Sequence, residues 1–282
     1  MVVNEGDEVL IPEPSFVCYS PITKLTGGVP VIIETDAEHE FKLTPEALLA
    51  HITPKTKALI LPYPCNPTGA IMEREDLEKI AAVLRDKNIL VLSDEIYAEL
   101  TFGGSKHVSI AEIDGMLERT VVVNGFSKTF SMTGWRLGYT LAPAEITKQM
   151  LKIHQYAIMC APTTSQYAAA EALRNGDSDV SMMRESYNER RRFVLHMLKE
   201  MGIPCFEPMG AFYVFPCIKE FGMPSEEFAA RLLEEEKVAI VPGTAFGDSG
   251  EGFLRISYAY SIDNLRKALT RLCWFVGRLR EN

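Results

Sequence analysis

Short apolar runs alternate with amphipathic stretches over the first half of the chain, and this alternation predicts strands separated by helices. The predicted strands are residues 8–12, 29–33, 57–62, 89–93, 119–123 and 138–142. The stretch at 74–88 predicts a helix, because its apolar residues fall on one helical face. Strands that are apolar throughout and alternate with helices indicate an α/β fold, with a mostly parallel sheet sandwiched by helices.

The pattern changes after about residue 175. A long predicted helix over 178–201 leads to shorter elements: strands near 212–216, 238–241 and 253–257, and helices near 225–236 and 262–279. This order predicts a smaller α+β domain with an antiparallel element. The segment RNGDSD at 174–179 is the predicted boundary, so we expect a large domain at 1–176 and a C-terminal small domain at 177–282.

Composition narrows the classes of partner and compartment. The chain has 282 residues, of which 47% are hydrophobic, and this is enough for a sizeable core. A net charge of −9 argues against nucleic acid and anionic membranes, since both need clustered cations. Six scattered cysteines and five isolated histidines predict free thiols and no metal site. With no signal peptide and no apolar run near the ~20 residues of a membrane span, we expect a soluble cytoplasmic protein.

Residues with useful chemistry follow three of the predicted strands. They are Phe16, Asn66, Asp94 and Tyr97. Ligands of parallel sheets bind at the carboxyl ends of the strands, so we expect these side chains to meet at one edge. Each has an ordinary alternative: NPTG is a good turn sequence, an aspartate can cap a helix, and a phenylalanine is usually core.

The segment NGFSKTFSMTGWRLGY at 124–139 places Lys128 between two predicted strands, with Arg136 eight positions later. Taken alone, these could be a surface charge and half of an ion pair. Together with NPTG at 66–69, SDEIY at 93–97 and FLRISYA at 253–259, however, the segment has the pattern G-F-S-K-x-x-S-M-x-G-x-R-L-G over 125–138. The sequence therefore resembles the fold type I, class I pyridoxal-phosphate aminotransferases, close to the bacterial aspartate and aromatic subgroup, over nearly its whole length.

The resemblance implies pyridoxal 5'-phosphate (PLP) as cofactor and a role for each residue toward its ring. Lys128 would bind the cofactor aldehyde covalently and move the proton at the substrate α-carbon. Asp94 would pair with the pyridine nitrogen. Tyr97 and Asn66 would hydrogen-bond the phenolic oxygen, and Phe16 would stack on the ring.

The resemblance also implies contacts outside the ring. Arg136 would hold the phosphate, and Arg255 would bind the substrate carboxylate in a bidentate manner, beside Asn66. The expected substrates are an amino acid and a 2-oxo acid, and the expected assembly is a homodimer. Cis peptide bonds are expected at Glu13–Pro14 and Asn66–Pro67.

Two departures from the family pattern matter for activity. Gly125 stands where some relatives carry a serine that contacts the phosphate. The chain also begins at the equivalent of the family's interior, so we expect an N-terminally truncated chain that binds PLP weakly. Met1 could be a fragment start, a mispredicted start or a true truncation. Two alternative functions stay open: a PLP-dependent β-lyase on the same scaffold, and an inactive fragment that acts only by association.

Overall fold

The computed structural model describes residues 2–281 and contains a six-stranded sheet in the first part of the chain. Its strands are β1 (Glu8–Glu13), β2 (Val29–Glu34), β3 (Thr56–Leu61), β4 (Leu90–Asp94), β5 (Thr120–Gly125) and β6 (Gly138–Leu141). The order is β2-β1-β3-β4-β5-β6, and only β6 is antiparallel to its neighbour. The α/β fold and all six predicted strands are confirmed, although β6 is exposed along its whole length instead of buried.

Six helices accompany this sheet. They are α1 (Tyr19–Leu25), α2 (Pro45–His51), α3 (Arg74–Leu84), α4 (Phe126–Thr129), α5 (Ala144–Ala157) and α6 (Thr163–Asn175). Only α3 was expected, and it ends four residues early, at its last buried apolar position. Helices α1 and α2 have seven residues each, too few for a helical period to stand out. Helix α5 was not singled out in the sequence, although its apolar residues are grouped on one face as strongly as those of α3; in the structure none of its side chains is buried.

The second part of the chain is an α+β arrangement, as expected. It contains α7 (Asp177–Glu200), β7 (Tyr213–Val214), α8 (Ser225–Glu236), β8 (Val241–Pro242), β9 (Leu254–Ser257) and α9 (Ile262–Glu281). The three strands form an antiparallel sheet in the order β7-β9-β8. Strands β7 and β8 have two residues each: β7 lies within the predicted 212–216, whereas β8 overlaps the predicted 238–241 only at Val241, so the strand expected at 238–240 was wrong.

Each part has its own apolar core. Leu10, Leu59 and Val91 belong to the cluster around the large sheet, whereas Phe228 and Phe275 belong to the cluster between α7, α8, α9 and the small sheet. Helices α6 and α7 meet at Gly176, inside the predicted boundary segment. The division into domains 1–176 and 177–282 stays a prediction.

Within residues 2–281, no helix is both long enough and apolar enough to cross a membrane.

The turn at Gly69 joins the two parts of the chain. The backbone N–H groups of Met209 and Gly210 both donate to the carbonyl oxygen of Gly69, at 3.1 and 2.9 Å. The next residue, Ala211, donates to the carbonyl of Leu100 at 2.9 Å. The 208–211 segment is thereby fixed to the edge of the large sheet where NPTG and DEIY also lie.

We predict that Gly69→Ala destabilises the protein more than Gly104→Ala. Both glycines have positive φ, +74° and +85°, which costs an alanine roughly 1–2 kcal/mol. A Cβ at Gly69 would lie 2.2 Å from the Cβ of Pro208, whereas one at Gly104 would meet no atom within 4 Å. Overpacking adds about 1–3 kcal/mol at Gly69 alone. Chemical denaturation should show this difference. An equal loss in the free energy of unfolding of the two variants would mean that the 208–211 segment shifts to make room for the added methyl group without cost.

Candidate active site

A cavity of about 320 Å³ lies at the carboxyl-terminal edge of the large sheet. Six of the seven residues singled out in the sequence line it: Phe16, Asn66, Asp94, Tyr97, Lys128 and Arg255. The first five lie at or just beyond the carboxyl ends of strands β1, β3, β4 and β5, which are parallel and therefore end at the same edge. Arg255 arrives from β9, in the other sheet.

Lys128 lies on α4, a single helical turn between β5 and β6, as expected from its place between two predicted strands. Its Nζ atom is 6.0 Å from the ring centroid of Tyr97 and 5.8 Å from that of Phe212. Among the residues that the structure describes, it has no hydrogen-bond acceptor and no carboxylate partner. Burial lowers the pKa of the amine, and the positive charges of Arg136 and Arg255 lower it further. The neutral, nucleophilic form of this lysine is therefore easier to reach than that of a lysine in water.

Asp94 is the last residue of β4, and its carboxylate is held on both oxygens. The hydroxyl of Tyr19 donates to Oδ2 at 2.8 Å, and the backbone N–H of Ile96 donates to Oδ1 at 3.2 Å. Burial raises the pKa of this carboxyl, and these hydrogen bonds oppose the rise. Such a carboxylate is suited to pair with a cationic or N–H group inside the cavity.

Arg255 is enclosed between two aromatic rings. The carbon of its guanidinium lies 4.6 Å from the ring centroid of Tyr213 and 4.7 Å from that of Phe246. Its Nη1 donates to Oδ1 of Asn66 at 3.0 Å, across 189 positions of sequence. Its Nε is buried and has no partner within residues 2–281. The guanidinium is thus fixed in orientation and retains donors for an anionic ligand.

Tyr97 and Phe16 complete the cavity wall. The hydroxyl of Tyr97 lies 3.1 Å from that of Tyr213, and burial raises the pKa of the Tyr97 phenol well above its ordinary value. Phe16 is 42% exposed and contacts Tyr19 edge-on, with centroids 6.2 Å apart. Because its face is not covered by core side chains, Phe16 is available to stack on a ligand.

Arg136 is the one singled-out residue that does not line the cavity. It is exposed, has a left-handed backbone with φ of 53°, and donates from Nη1 to the carbonyl of Thr133 at 3.0 Å. Its charge still acts on Lys128. Its expected contact with a phosphate stays a prediction.

Three aromatic residues of the site were missed from the sequence: Tyr19, Tyr213 and Phe246. Tyr19 follows Phe16 by three positions, so the segment PSFVCY contained the signal. Tyr213 and Phe246 lie in the second part of the chain and reach the site only through tertiary packing, so nothing local marked them. Both expected cis bonds, at Glu13–Pro14 and Asn66–Pro67, are confirmed, and a third at Tyr63–Pro64 was not expected.

The donor set of the cavity suits an organic cofactor. Within the described part of the chain, no group of three histidine, cysteine or acidic residues is placed to hold a metal ion. The cavity instead offers an amine of lowered pKa, a buried carboxylate, a phenol and an exposed aromatic ring. These groups can hold an aromatic ring that carries a basic nitrogen and a reactive carbonyl.

Comparison with known proteins identifies the family. The sequence matches the profile of "Aminotransferase class I and II" over residues 1–272. The chain belongs to this family. A putative aminotransferase of Bacillus subtilis, YugH, is 52% identical over 98% of this chain and 72% of its own length. An aspartate aminotransferase of Pyrococcus abyssi is 50% identical over 96% of this chain and 70% of its own.

The same fold is found among solved structures. An aromatic aminotransferase from Pyrococcus horikoshii superposes with a TM-score of 0.96 at 46% identity, over 99% of this chain and 75% of that one. The protein is therefore an enzyme, an aminotransferase that acts on an amino acid and a 2-oxo acid. The β-lyase alternative receives no support from these relatives.

We predict that Arg136→Gln slows the acylation of Lys128 at pH 8. Removing a nearby positive charge stabilises the protonated amine and raises its pKa, so less free amine is present at that pH. Competitive acetylation of the cofactor-free protein, followed by peptide mass spectrometry, should show a rate about twofold to threefold lower. Arg74→Gln is the matched control, because Arg74 pairs with Glu112 on the surface. Unchanged reactivity in the Arg136 variant would contradict the electrostatic coupling.

Proposed function

We propose that this aminotransferase uses PLP to move an amino group from an L-amino acid to a 2-oxo acid, with Lys128 as the catalytic base and cofactor anchor. One observation carries the proposal: a single cavity collects the amine of Lys128, the carboxylate of Asp94 and the guanidinium of Arg255. PLP supplies an electron-accepting ring that stabilises negative charge at the substrate α-carbon. The residues of the chain bind, orient and move protons around that ring.

Lys128 is suited to both of its proposed tasks. A lysine can bind an aldehyde or accept a proton only when its amine is neutral, and burial with two nearby arginines favours that form. With no hydrogen-bond partner among residues 2–281, the side chain can turn between the cofactor and the α-carbon of the substrate. Lys128 would therefore take the proton from the α-carbon of the substrate at Nζ and deliver it to the cofactor.

Asp94, Tyr97 and Asn66 would hold the ring. The Asp94 carboxylate would accept a hydrogen bond from the pyridine nitrogen and keep that nitrogen protonated. The Tyr97 hydroxyl and the Asn66 side chain would hydrogen-bond the phenolic oxygen, and Phe16 would cover one face of the ring. Arg136 would contact the phosphate from outside the cavity lining.

Arg255 would bind the carboxylate of the amino acid. A planar guanidinium offers two parallel N–H donors to a carboxylate, and the flanking rings of Tyr213 and Phe246 keep it oriented. Asn66 accepts a hydrogen bond from Nη1 of this guanidinium and leaves the other terminal nitrogen for the substrate. The named relatives act on aspartate and on aromatic amino acids, so we propose that donors of these two classes be tested first. A homodimer and a cytoplasmic location stay predictions.

We predict that borohydride reduction of the PLP-treated protein fixes the pyridoxyl group on Lys128. Borohydride reduces the bond between an amine and the aldehyde, so peptide mapping reports the lysine that carried the cofactor. Lys106, in the GGSK segment at 103–106, is the negative control. The Lys128→Arg variant keeps the charge, cannot react, and should carry no label. Labelling of Lys106 or retention of label in the variant would refute the assignment.

We predict that Arg255→Lys raises the KM for the amino acid by about tenfold to hundredfold, because one charge-assisted hydrogen bond is worth roughly 1.5–3 kcal/mol. A lysine keeps the charge but loses the planar pair of donors. The absorbance of the bound cofactor should stay unchanged. Arg271→Lys, at an exposed arginine that donates to the carbonyl of Glu236, is the control. Loss of the cofactor absorbance at unchanged KM would assign Arg255 to cofactor binding instead.

A further inference from the structure

A second buried carboxylate lies directly beside Asp94, and it has no part in the mechanism above. Glu95 is 4% exposed, and three side chains hydrogen-bond to it. The hydroxyls of Ser93 and Ser109 donate to Oε1 at 2.8 and 2.6 Å, and Nε2 of His107 lies 2.8 Å from Oε2. A carboxylate only accepts, so the His107 nitrogen must carry the hydrogen. None of these four residues lines the cavity.

The charge of Glu95 is matched to this environment. Burial raises the pKa of its carboxyl, but the hydrogen bonds and charge of His107 and the two serine hydroxyls outweigh burial and bring the pKa below its ordinary value. The other titratable groups near enough to interact are Asp94 and Tyr139. Glu95 is therefore ionised, and both of its carboxylate oxygens accept hydrogen bonds. It lies at the strand end that also carries Asp94.

The strand geometry places Glu95 and Asp94 on opposite sides. Side chains alternate along a strand, so Ser93 and Glu95 point to one side of the sheet while Asp94 points to the other. The backbone leaves the sheet after Asp94, and its remaining ladder contact is the hydrogen bond from the N–H of Glu95 to the carbonyl of Val123, at 2.8 Å. Beyond that bond, the hydrogen bonds of the Glu95 side chain are further anchors of this strand end.

We propose that Glu95, together with His107 and Ser109, is a positioning residue for Asp94: it fixes the end of β4 from the face opposite the cavity, so that the Asp94 carboxylate meets the cofactor at a defined angle. The inference rests on the proposed PLP function. His107 and Ser109 belong to the segment that follows DEIY, so the cluster also ties that segment to the strand.

Glu95→Gln separates positioning from cofactor contact. Glutamine has nearly the same shape but no charge, so the charge-assisted hydrogen bonds of the cluster are replaced by weaker neutral ones, and His107 or a serine hydroxyl must turn to accept from the new NH₂ group. We expect the dissociation constant for PLP to rise about tenfold, with a lower kcat, because Asp94 would no longer be aligned. The KM for the amino acid should change less than about twofold, because Arg255 and Asn66 do not lie on this strand.

The deciding experiment is a double-mutant cycle with Asp94→Asn, in which PLP binding is titrated by absorbance. If Glu95 acts through Asp94, Glu95→Gln should weaken binding about tenfold in the wild-type background and less than about twofold in the Asp94→Asn background. Glu99→Gln, at an exposed glutamate four positions later, should have no effect in either background. An equal loss in both backgrounds would show a merely structural role and overturn the proposal.

A second variant covers the case in which Glu95→Gln does not fold. His107→Gln keeps an amide donor at a partly exposed position, and the same cycle should give about a threefold loss that again disappears with Asp94→Asn. If the wild-type chain does not bind PLP, the proposed function fails, and this inference fails with it. If it binds PLP and the losses are additive, only the positioning of Asp94 by Glu95 is refuted.

Discussion

The carbonyl oxygen of Gly69 accepts two backbone hydrogen bonds from the 208–211 segment, and the site depends on this contact. On one side, the NPTG turn carries Asn66; on the other, the chain continues into β7 with Tyr213, which packs against β9 and Arg255. A side chain at position 69 would occupy the space of Pro208. The absence of a Cβ therefore allows two segments nearly 140 residues apart to share one cavity wall.

The electrostatics of the cavity shift the pKa values of its two central groups, Lys128 and Asp94, in opposite directions. Burial and positive neighbours lower the pKa of the Lys128 amine, and burial raises the pKa of the Asp94 carboxyl. Each shift makes the neutral form of its group easier to reach than in water, as burial does for a charged group. A cationic ring nitrogen placed against Asp94 would stabilise its carboxylate, so binding of the proposed cofactor and ionisation of Asp94 would support each other.

The sequence predicted those site residues whose position follows from the order of the strands along the chain. Parallel strands bring their carboxyl ends together, so residues just beyond them could be assigned to one edge, and the cavity contains them. Contacts that depend on the docking of the second sheet could not be predicted, because no period or turn sequence encodes the approach of Tyr213 to Tyr97. Arg136 lies outside the cavity lining for a similar reason. Its spacing from Lys128 predicted the segment on which it lies, but the direction of its side chain depends on the left-handed backbone at that residue.

Asp94 and Lys128 differ in how firmly the protein holds them, and this difference matches the tasks proposed for them. Asp94 accepts hydrogen bonds on both carboxylate oxygens and ends a strand whose next residue, Glu95, is itself hydrogen-bonded by Ser93. Lys128 stands on a single helical turn, with no polar partner among residues 2–281. A group that fixes the orientation of a ring gains from every contact that limits its motion. A group that carries a proton between two atoms must lose no strong hydrogen bond when it moves. The structure thus places a carboxylate held by hydrogen bonds and an amine free of them, among residues 2–281, at the same sheet edge, which suits amino-group transfer on a cofactor held in one orientation.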